Sequence, residues 1–466
     1  MPHAARPHYN LTFAILALAG ISYALLQSMV APALLTIKAD LHTSTTGVAW
    51  VITSYLLAAS VATPIIGRLG DQYGKKRMLV VTLVVLATGT LLSALATSIG
   101  LMILGRVVQG AGGAIFPLAF AIIRDEFPRE RVASGIALIS ALLGAGAGVG
   151  IVLAGPITER FSYHWLFWLP LGVILLATAA TALWVPESPI KTRGKIDWAG
   201  SFLLTGWLVA LLVAVSEASS WGWGSARVIG LLVAATVLLA TWIVVEQRLA
   251  QPLVNMRMMQ RRGVWTTNLT GLLLGFGMYS SFVLVPQFVE QPRSGGFGFS
   301  ASVTQAGLFL LPSTMAMLVV SPFAGRLSRT VGSRVPLMLG AAITAIAFFM
   351  LAFVHGQRYE IYLGTLLMGL GIGLAFASMA NLIVEAVRPD ETGVATGMNT
   401  IVRTIGGSLG SQIAASIVIG STEHDFTTAF AVSASAVVVG FAVSLAVPGR
   451  EQVKAALARA SVTMPR

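Results

Sequence analysis

The sequence predicts an all-α integral membrane protein of fourteen transmembrane helices: two parallel six-helix bundles plus two linker helices. Three observations carry this. Only 10% of the 466 residues are charged and 56% are hydrophobic, against roughly 25% charged in an ordinary soluble domain. Apolar runs recur from residue 11 to residue 447 with short gaps, each of about 20 residues, the length a helix needs to cross a bilayer. Two loop segments also repeat in the same order, far apart in the chain. The mean hydropathy of +0.83 agrees. The short gaps leave no room for a soluble catalytic domain of ~100 residues.

The first apolar stretch follows MPHAARPHYN and reaches Ile37. It is longer than a signal-peptide core and lacks a clear cleavage site, so it reads as an uncleaved span. The spans fall near 12–35, 47–66, 78–97, 101–123, 134–156, 164–185, 199–216, 228–245, 264–288, 304–325, 336–354, 361–384, 394–419 and 428–447. Backbone groups in hydrocarbon need internal partners, so each is a helix. The Gly- and Ala-rich texture does not alternate as barrel strands do.

An even number of spans puts both termini on one side. Of the 30 basic residues, most fall in that side's loops, whereas Lys38, Arg160, Arg227, Arg293 and Arg358 fall on the other, and Arg106 and Arg403 lie inside spans. Basic residues resist translocation, so both termini are expected in the cytoplasm. The net charge of +12 is then loop topology rather than a nucleic-acid-binding surface. Most Trp residues, Trp242 among them, sit near span ends as interfacial anchors, with Trp207 alone in mid-span. The absence of cysteine excludes disulfides and thiolate metal sites.

The repeat is explicit. Pro64-Ile-Ile-Gly67-Arg-Leu-Gly-Asp-Gln-Tyr-Gly74 recurs as Pro322-Phe-Ala-Gly325-Arg-Leu-Ser-Arg-Thr-Val-Gly332, and Pro128-Arg-Glu-Arg-Val-Ala-Ser-Gly135 recurs as Pro389-Asp-Glu-Thr-Gly-Val-Ala-Thr-Gly397. Both pairs lie on the basic side, so the halves share one orientation. The expected division is 1–190, an N-terminal six-helix bundle; 191–250, two linker helices; 251–450, a C-terminal six-helix bundle; and 451–466, a cytoplasmic tail. Such parallel halves suit a transporter with its substrate path between them.

With these motifs in place, the chain resembles the major facilitator superfamily over essentially its whole length, and within it the fourteen-span drug–proton antiporter branch. Gly67 through Arg77 is similar to the superfamily's loop between spans two and three. The resemblance implies that Asp71 and Lys75 bond with Asp125 to lock the cytoplasmic gate, with Gly67, Gly74 and Arg77 shaping the loop. Arg329 stands where Asp71 stands in the first half, so the matching lock is altered there. Arg106, followed by Gln109, Gly110 and Gly112, resembles the span-four motif, which implies a part in proton transfer. Gly146, Gly150, Gly155 and Pro156 resemble the antiporter motif of span five, although Ile151 occupies the place where that family usually has Pro. Tyr163 through Phe167 and Arg403 through Gly407 are also similar to this branch. An inner-membrane location in a bacterium follows by the same resemblance.

Other patterns are set aside. Gly406-Gly-Ser408-Leu-Gly410 matches a serine-hydrolase elbow, but that elbow needs a strand before it, and here it lies in a helical span as a small-residue packing face. No phosphate-binding Gly-x4-Gly-Lys-Ser/Thr occurs, so the proton gradient is the expected energy source, with no cofactor and no metal. His42, His164, His355 and His424 read as outer surface-loop residues. An enzyme has no credible constellation here.

Proton coupling calls for a titratable carboxylate reachable from both sides. No acid lies near a midplane. Asp125 and Glu385, at the inner ends of spans four and twelve, are the candidate carriers, with the embedded Arg106 and Arg403. Two embedded arginines without a deep acid favour neutral or weakly anionic amphiphiles over dications. Tyr23, Gln27, Tyr55, Phe116, Tyr279, Asn381 and Asn399 are the candidate cavity wall. The expected function is export of amphiphilic drugs or small metabolites by alternating access in exchange for protons, carried out by a monomer in the lipid bilayer and able to confer antibiotic resistance. The alternative is a facilitator or lipid-type flippase on the same scaffold without strict proton coupling.

Overall fold

The computed structural model describes residues 9–30, 33–43, 45–188, 197–249, 252–388, 391–418 and 422–449. Expectations for Arg6, Lys191, Arg193, Lys195 and the tail 451–466 lie outside the described residues. The first half contains α1 (Tyr9–Ser28), α2 (Leu34–Asp40), α3 (Thr45–Tyr73), α4 (Lys75–Ala94), α5 (Ile99–Gln109), α6 (Ile115–Glu126), α7 (Arg129–Arg160) and α8 (Trp165–Trp184). Then come α9 (Trp198–Trp221), α10 (Ala226–Arg248) and the short α11 (Met256–Met259). The second half contains α12 (Arg262–Glu290), α13 (Val303–Val331), α14 (Arg334–Phe353), α15 (Arg358–Ala386), α16 (Thr392–Ile417) and α17 (Glu423–Ser444).

Among the described residues, 12 helical segments are long and apolar enough to cross a membrane. Neither α7 nor α16 is among them, although they run for 32 and 26 residues. Helix α16 is rich in Gly, Ser and Thr and carries Arg403, which lowers its apolarity, and α7 is rich in Gly. That texture suits helices that pack closely on other helices rather than on lipid.

The sequence repeat is a structural repeat. Helices α3 and α13 are each 29 residues long, and α4 and α14 each 20. The joint between them is a glycine with positive φ in both halves, Gly74 at +117° and Gly332 at +87°. A side chain there would be strained, so the reversal needs glycine. Pro64 and Pro322 sit at equivalent points of α3 and α13.

Two expected spans differ in detail. The first is α1, which stops at Ser28 and is followed by the separate α2. The fourth is broken by a tight 3-10 turn, Gly110–Ala114, between α5 and α6. The glycines of this turn let α1 and α3 come close: a Cβ on Gly112 would stand 2.7 Å from the Tyr23 ring, and one on Gly113 3.1 Å from Ala59.

Each half has its own core. Leu16, Leu83, Phe116 and Phe167 belong to the first, and Phe288, Phe348, Phe376 and Phe426 to the second, where Phe288 meets Phe426 edge to face at 5.4 Å. A third cluster joins Trp207, Leu208 and Trp242 of the linker helices to Leu57 of α3 and Met398 and Ile401 of α16. Helix α9 therefore covers the α3–α16 seam, and α10 packs on α9 with only 17% of its span buried. Trp242 is not an interfacial anchor: it is buried and faces Trp207 at 6.1 Å. His355 is likewise not a surface-loop residue. It is 8% exposed, with Nδ1 2.9 Å from the Leu351 carbonyl and Nε2 3.2 Å from Glu423.

The other seam runs along α7 and α13. Gly148 lies against Thr314 and Gly155 against Thr304, whereas Gly146 and Gly150 face Ala24 and Ser28 of α1. Pro156 lies within α7, which continues as helix to Arg160. A Cβ on Gly148 would overlap the Thr314 hydroxyl, whereas one on Gly307 would find 3.4 Å to its nearest neighbour, Val152. Gly148→Ala is expected to lower stability by about 1–3 kcal/mol through overpacking. Gly307→Ala should be neutral or stabilising by up to about 1 kcal/mol. Thermal unfolding in detergent, followed by tryptophan fluorescence, compares the two.

Candidate functional site

At the basic face, where α3 ends and α4 begins, a charged cluster is buried. Lys75 and the Asp125 side chain are each 1% exposed and form an ion pair. Ser188, beyond the end of α8, donates its hydroxyl to the same Asp125 oxygen. Glu187 accepts from the backbone amides of Lys76 and Arg77, both at 3.1 Å, and so caps the start of α4. Its carboxylate stands where a Cβ on Gly74 would fall, 2.7 Å away, so Gly74 provides both the turn and the space.

Asp71 does not join that pair. Buried at 2% exposure, its oxygens bond no side chain. They lie instead against the first turn of α16, 3.0 and 3.1 Å from where a Cβ on Gly393 would stand. A carboxylate at the amide end of a helix is stabilised by the helix dipole. This contact ties the first half to the second. Gly67 and Gly393 allow it, since a Cβ on Gly67 would stand 2.9 Å from the Gly393 carbonyl. Arg77 contributes its backbone amide.

Further ties cross the same face. Arg124 of α6 donates to the carbonyls of Val387 (3.0 Å) and Arg388 (3.4 Å) and to the Thr392 hydroxyl. Asn381 of α15 donates to the Ala133 carbonyl of α7 at 3.1 Å. Arg329, the counterpart of Asp71, donates to the Glu130 carbonyl at 2.6 Å. Glu385 accepts from Ser333 at 3.1 Å within the second half. Arg124, Glu187 and Ser188 were not among the sequence candidates. The adjacency of Arg124 to Asp125, and a polar pair flanked by Pro186 and Pro189 just after α8, were the available signals. On the same face, a cavity of about 430 Å3 opens between α1, α7 and α13, lined by Arg131, Arg326 and Arg329 with Tyr9 and Phe127.

A pocket of about 20 Å3, lined by Tyr23, Gln27, Ser60, Thr63, Thr400 and Thr404 among others, holds little more than a water. Tyr23 stacks on Tyr55 at 5.8 Å and meets Phe116 edge-on at 6.0 Å. Gln27 donates to the Tyr279 hydroxyl at 3.1 Å and so joins the two halves. The remaining candidates lie elsewhere. Asn399 bonds Asn268 at 2.9 Å inside the second half, and Asn381 bonds α7 at the basic face.

Both embedded arginines are buried. Arg106 donates to the carbonyls of Val51 (2.9 Å) and Leu26 (3.3 Å) and to Gln109 (2.6 Å), with its guanidinium 4.0 Å from the Tyr55 ring centre. Arg403 is 9% exposed, 4.5 Å from the Phe376 ring centre. No carboxylate lies beside either among the described residues.

Two repeated helical halves, tied at one end and meeting around a polar centre, form the parallel-repeat architecture of transporter folds. The chain belongs to the Major Facilitator Superfamily, whose pattern matches residues 16–411. It is 30% identical over 411 residues to an uncharacterized MFS-type transporter of Mycobacterium tuberculosis, covering 86% of this chain and 58% of that protein. It is 30% identical over 394 residues to Multidrug resistance protein 3 of Bacillus subtilis, covering 83% and 75%. With the Tetracenomycin C resistance and export protein of Streptomyces glaucescens it shares 27% identity, covering 84% and 72%. The fold is that of the human organic anion transporter MFSD10 (TETRAN), with a TM-score of 0.65 at 15% identity, covering 94% of this chain and all of that one.

Lys75→Met leaves the Asp125 carboxylate buried without its partner and is expected to cost about 3–5 kcal/mol of stability. Lys75→Met with Asp125→Leu should recover most of that loss, because no charge is then stranded. Denaturant titration of the purified proteins measures both.

Proposed function

We propose that the protein exports amphiphilic drugs or small metabolites by alternating access, in exchange for protons. The observation that supports this best is the gate: Asp71, Arg124 and Asn381 tie the two halves together at the basic face, and the central pocket is contracted. A transporter moves cargo only if such a closure is reversible. The printed names of the Bacillus and Streptomyces relatives, a multidrug resistance protein and a resistance and export protein, lend support.

In this reading α7 and α16 also cross the bilayer, giving fourteen spans with α9 and α10 as the added pair. The protein lies in a bacterial inner membrane as a monomer with both termini in the cytoplasm, so the tied face is the cytoplasmic one. Residues 1–190 and 251–450 form the two bundles that rock against each other. Protonation of Asp71 would weaken its attraction to the amide end of α16 and loosen the gate. Asp125 and Glu385 carry the coupled proton from the same face, and Arg106 and Arg403 bias its path. For scale, one charge moved through 100 mV supplies about 2.3 kcal/mol, enough to hold a gradient of about 50-fold.

The lack of a mid-span carboxylate favours one competitor, a facilitator or flippase without strict coupling. Proteoliposomes carrying a pH indicator separate them. Under an imposed pH gradient, adding cargo should accelerate proton flux. Asp125→Asn with Glu385→Gln should abolish that acceleration. Cargo movement without proton flux would establish the facilitator, and coupled flux that survives the double substitution would reject these two carriers.

A further inference from the structure

A guanidinium in hydrocarbon needs acceptors for its N–H groups or an opposite charge. The two embedded arginines meet this need differently. Arg106 has found acceptors within the protein: two backbone carbonyls and Gln109. Only its Nη2 is left buried without a partner, and the arginine holds α1, α3 and α5 together.

Arg403 has not. It stands mid-way along α16, nine-tenths buried at 9% exposure. Its guanidinium covers the Phe376 ring of α15 at 4.5 Å, and no hydrogen-bond acceptor or carboxylate contacts it among the described residues. The sequence offers none nearby either. Among the described residues of the second half, Glu290, Glu360, Glu385, Glu391, Glu423 and Asp425 all lie in terminal turns of helices or between helices. The polar groups around Arg403 are neutral. Tyr279, bonded to Gln27, lies on the facing side of α12, and Asn399 and Asn268 lie a turn away. Gly275 of α12 gives the arginine its space, since a Cβ there would stand 3.0 Å from Arg403 Cγ.

The position is also the right one for cargo. Thr400 and Thr404, within a turn of Arg403 on the same helix, line the central pocket together with Tyr23 and Gln27. Separation of the halves would break the Gln27–Tyr279 bond and widen the pocket toward Arg403.

We propose that the cargo is an amphiphilic organic anion, a carboxylate, sulfonate or phenolate on an aromatic or aliphatic body, and that Arg403 is the residue that binds its charged end. This rests on the export reading above. An anion satisfies a positive charge that the protein leaves unmatched. A cation in the same pocket would be repelled by the Arg403 guanidinium, which has no acid to offset it. The hydroxyls of Thr400, Thr404 and Tyr279 can follow the headgroup, and Tyr23 and Phe116 can take the apolar body.

The test uses purified protein in phosphatidylcholine vesicles under a pH gradient, with three fluorescent probes on one aromatic skeleton: the carboxylate, its methyl ester and a trimethylammonium analogue. The carboxylate should move about tenfold faster than the ammonium probe, the discrimination expected of one buried charge contact. Arg403→Gln should lower the carboxylate-to-ester rate ratio about tenfold, and Arg403→Lys should keep it within about threefold. The ratio is read within each variant, so a lower yield of folded protein cancels. If Arg403→Gln does not fold, the order of rates in the unaltered protein still decides the question. An ammonium probe that moves as fast as the carboxylate, or a ratio unchanged in Arg403→Gln, overturns the inference. If the ester and ammonium move and the carboxylate does not, the inference falls and the export reading stands. If no probe moves, both fall.

Discussion

Charge in hydrocarbon must be matched by opposite charge, by polar acceptors or by water, and the architecture of this protein follows from how that demand is met at each site. Lys75 and Asp125 neutralise each other, with Ser188 completing the pair. Asp71 is matched by no side chain and lies against the amide end of α16, a helix of the other half. Arg106 is matched by carbonyls. The first solution is internal to one half. The second crosses between halves and can be undone by rotation or by a proton. Asp71 shares that crossing with Arg124, Asn381 and Arg329, whose bonds also join the two halves.

Close approach of backbones makes these matches possible. Asp71 reaches α16 only because Gly67 and Gly393 remove the side chains between the helices. On the opposite seam, Gly148 and Gly155 let α7 lie directly on α13. The two seams are built alike and differ in chemistry: Asp71 meets an amide end in one, and its counterpart Arg329 meets a carbonyl in the other. The linker helices take a side. Helix α9 covers the α3–α16 seam through Trp207 and its neighbours, so the added pair shields the more polar of the two joints from lipid.

Much of this was legible in the sequence because it depends on local pattern. The repeated Gly–Arg–Leu loops marked α3 and α13, which proved equal in length. A resemblance supplied the pairing of Lys75 with Asp125, and it also placed Asp71 in that pair, which Asp71 does not join. What depends on three-dimensional approach was not legible. Glu187 and Ser188 are remote in sequence from the α4 terminus and the Asp125 they serve. The 3-10 turn at Gly110–Ala114 looks like any small-residue stretch until Tyr23 and Thr63 are seen pressed against it. Asn381, plausible as a cavity residue by its type, is spent on the Ala133 carbonyl at the gate.

The central claim is that closure at the basic face and opening at the other are one reversible motion. The chain lacks cysteine, so spin labels can be placed at will. Tyr73 and Val331, 50% and 53% exposed, end the repeat-related α3 and α13, and Leu95 and Val354, 54% and 46% exposed, follow the ends of α4 and α14 on the opposite face. Pulsed electron–electron distance measurements on the two pairs, across a range of pH and with cargo probe added, give the test. The account predicts two populations in each pair, with the first distance lengthening as the second shortens. Distances that stay fixed, or that lengthen together, would contradict it.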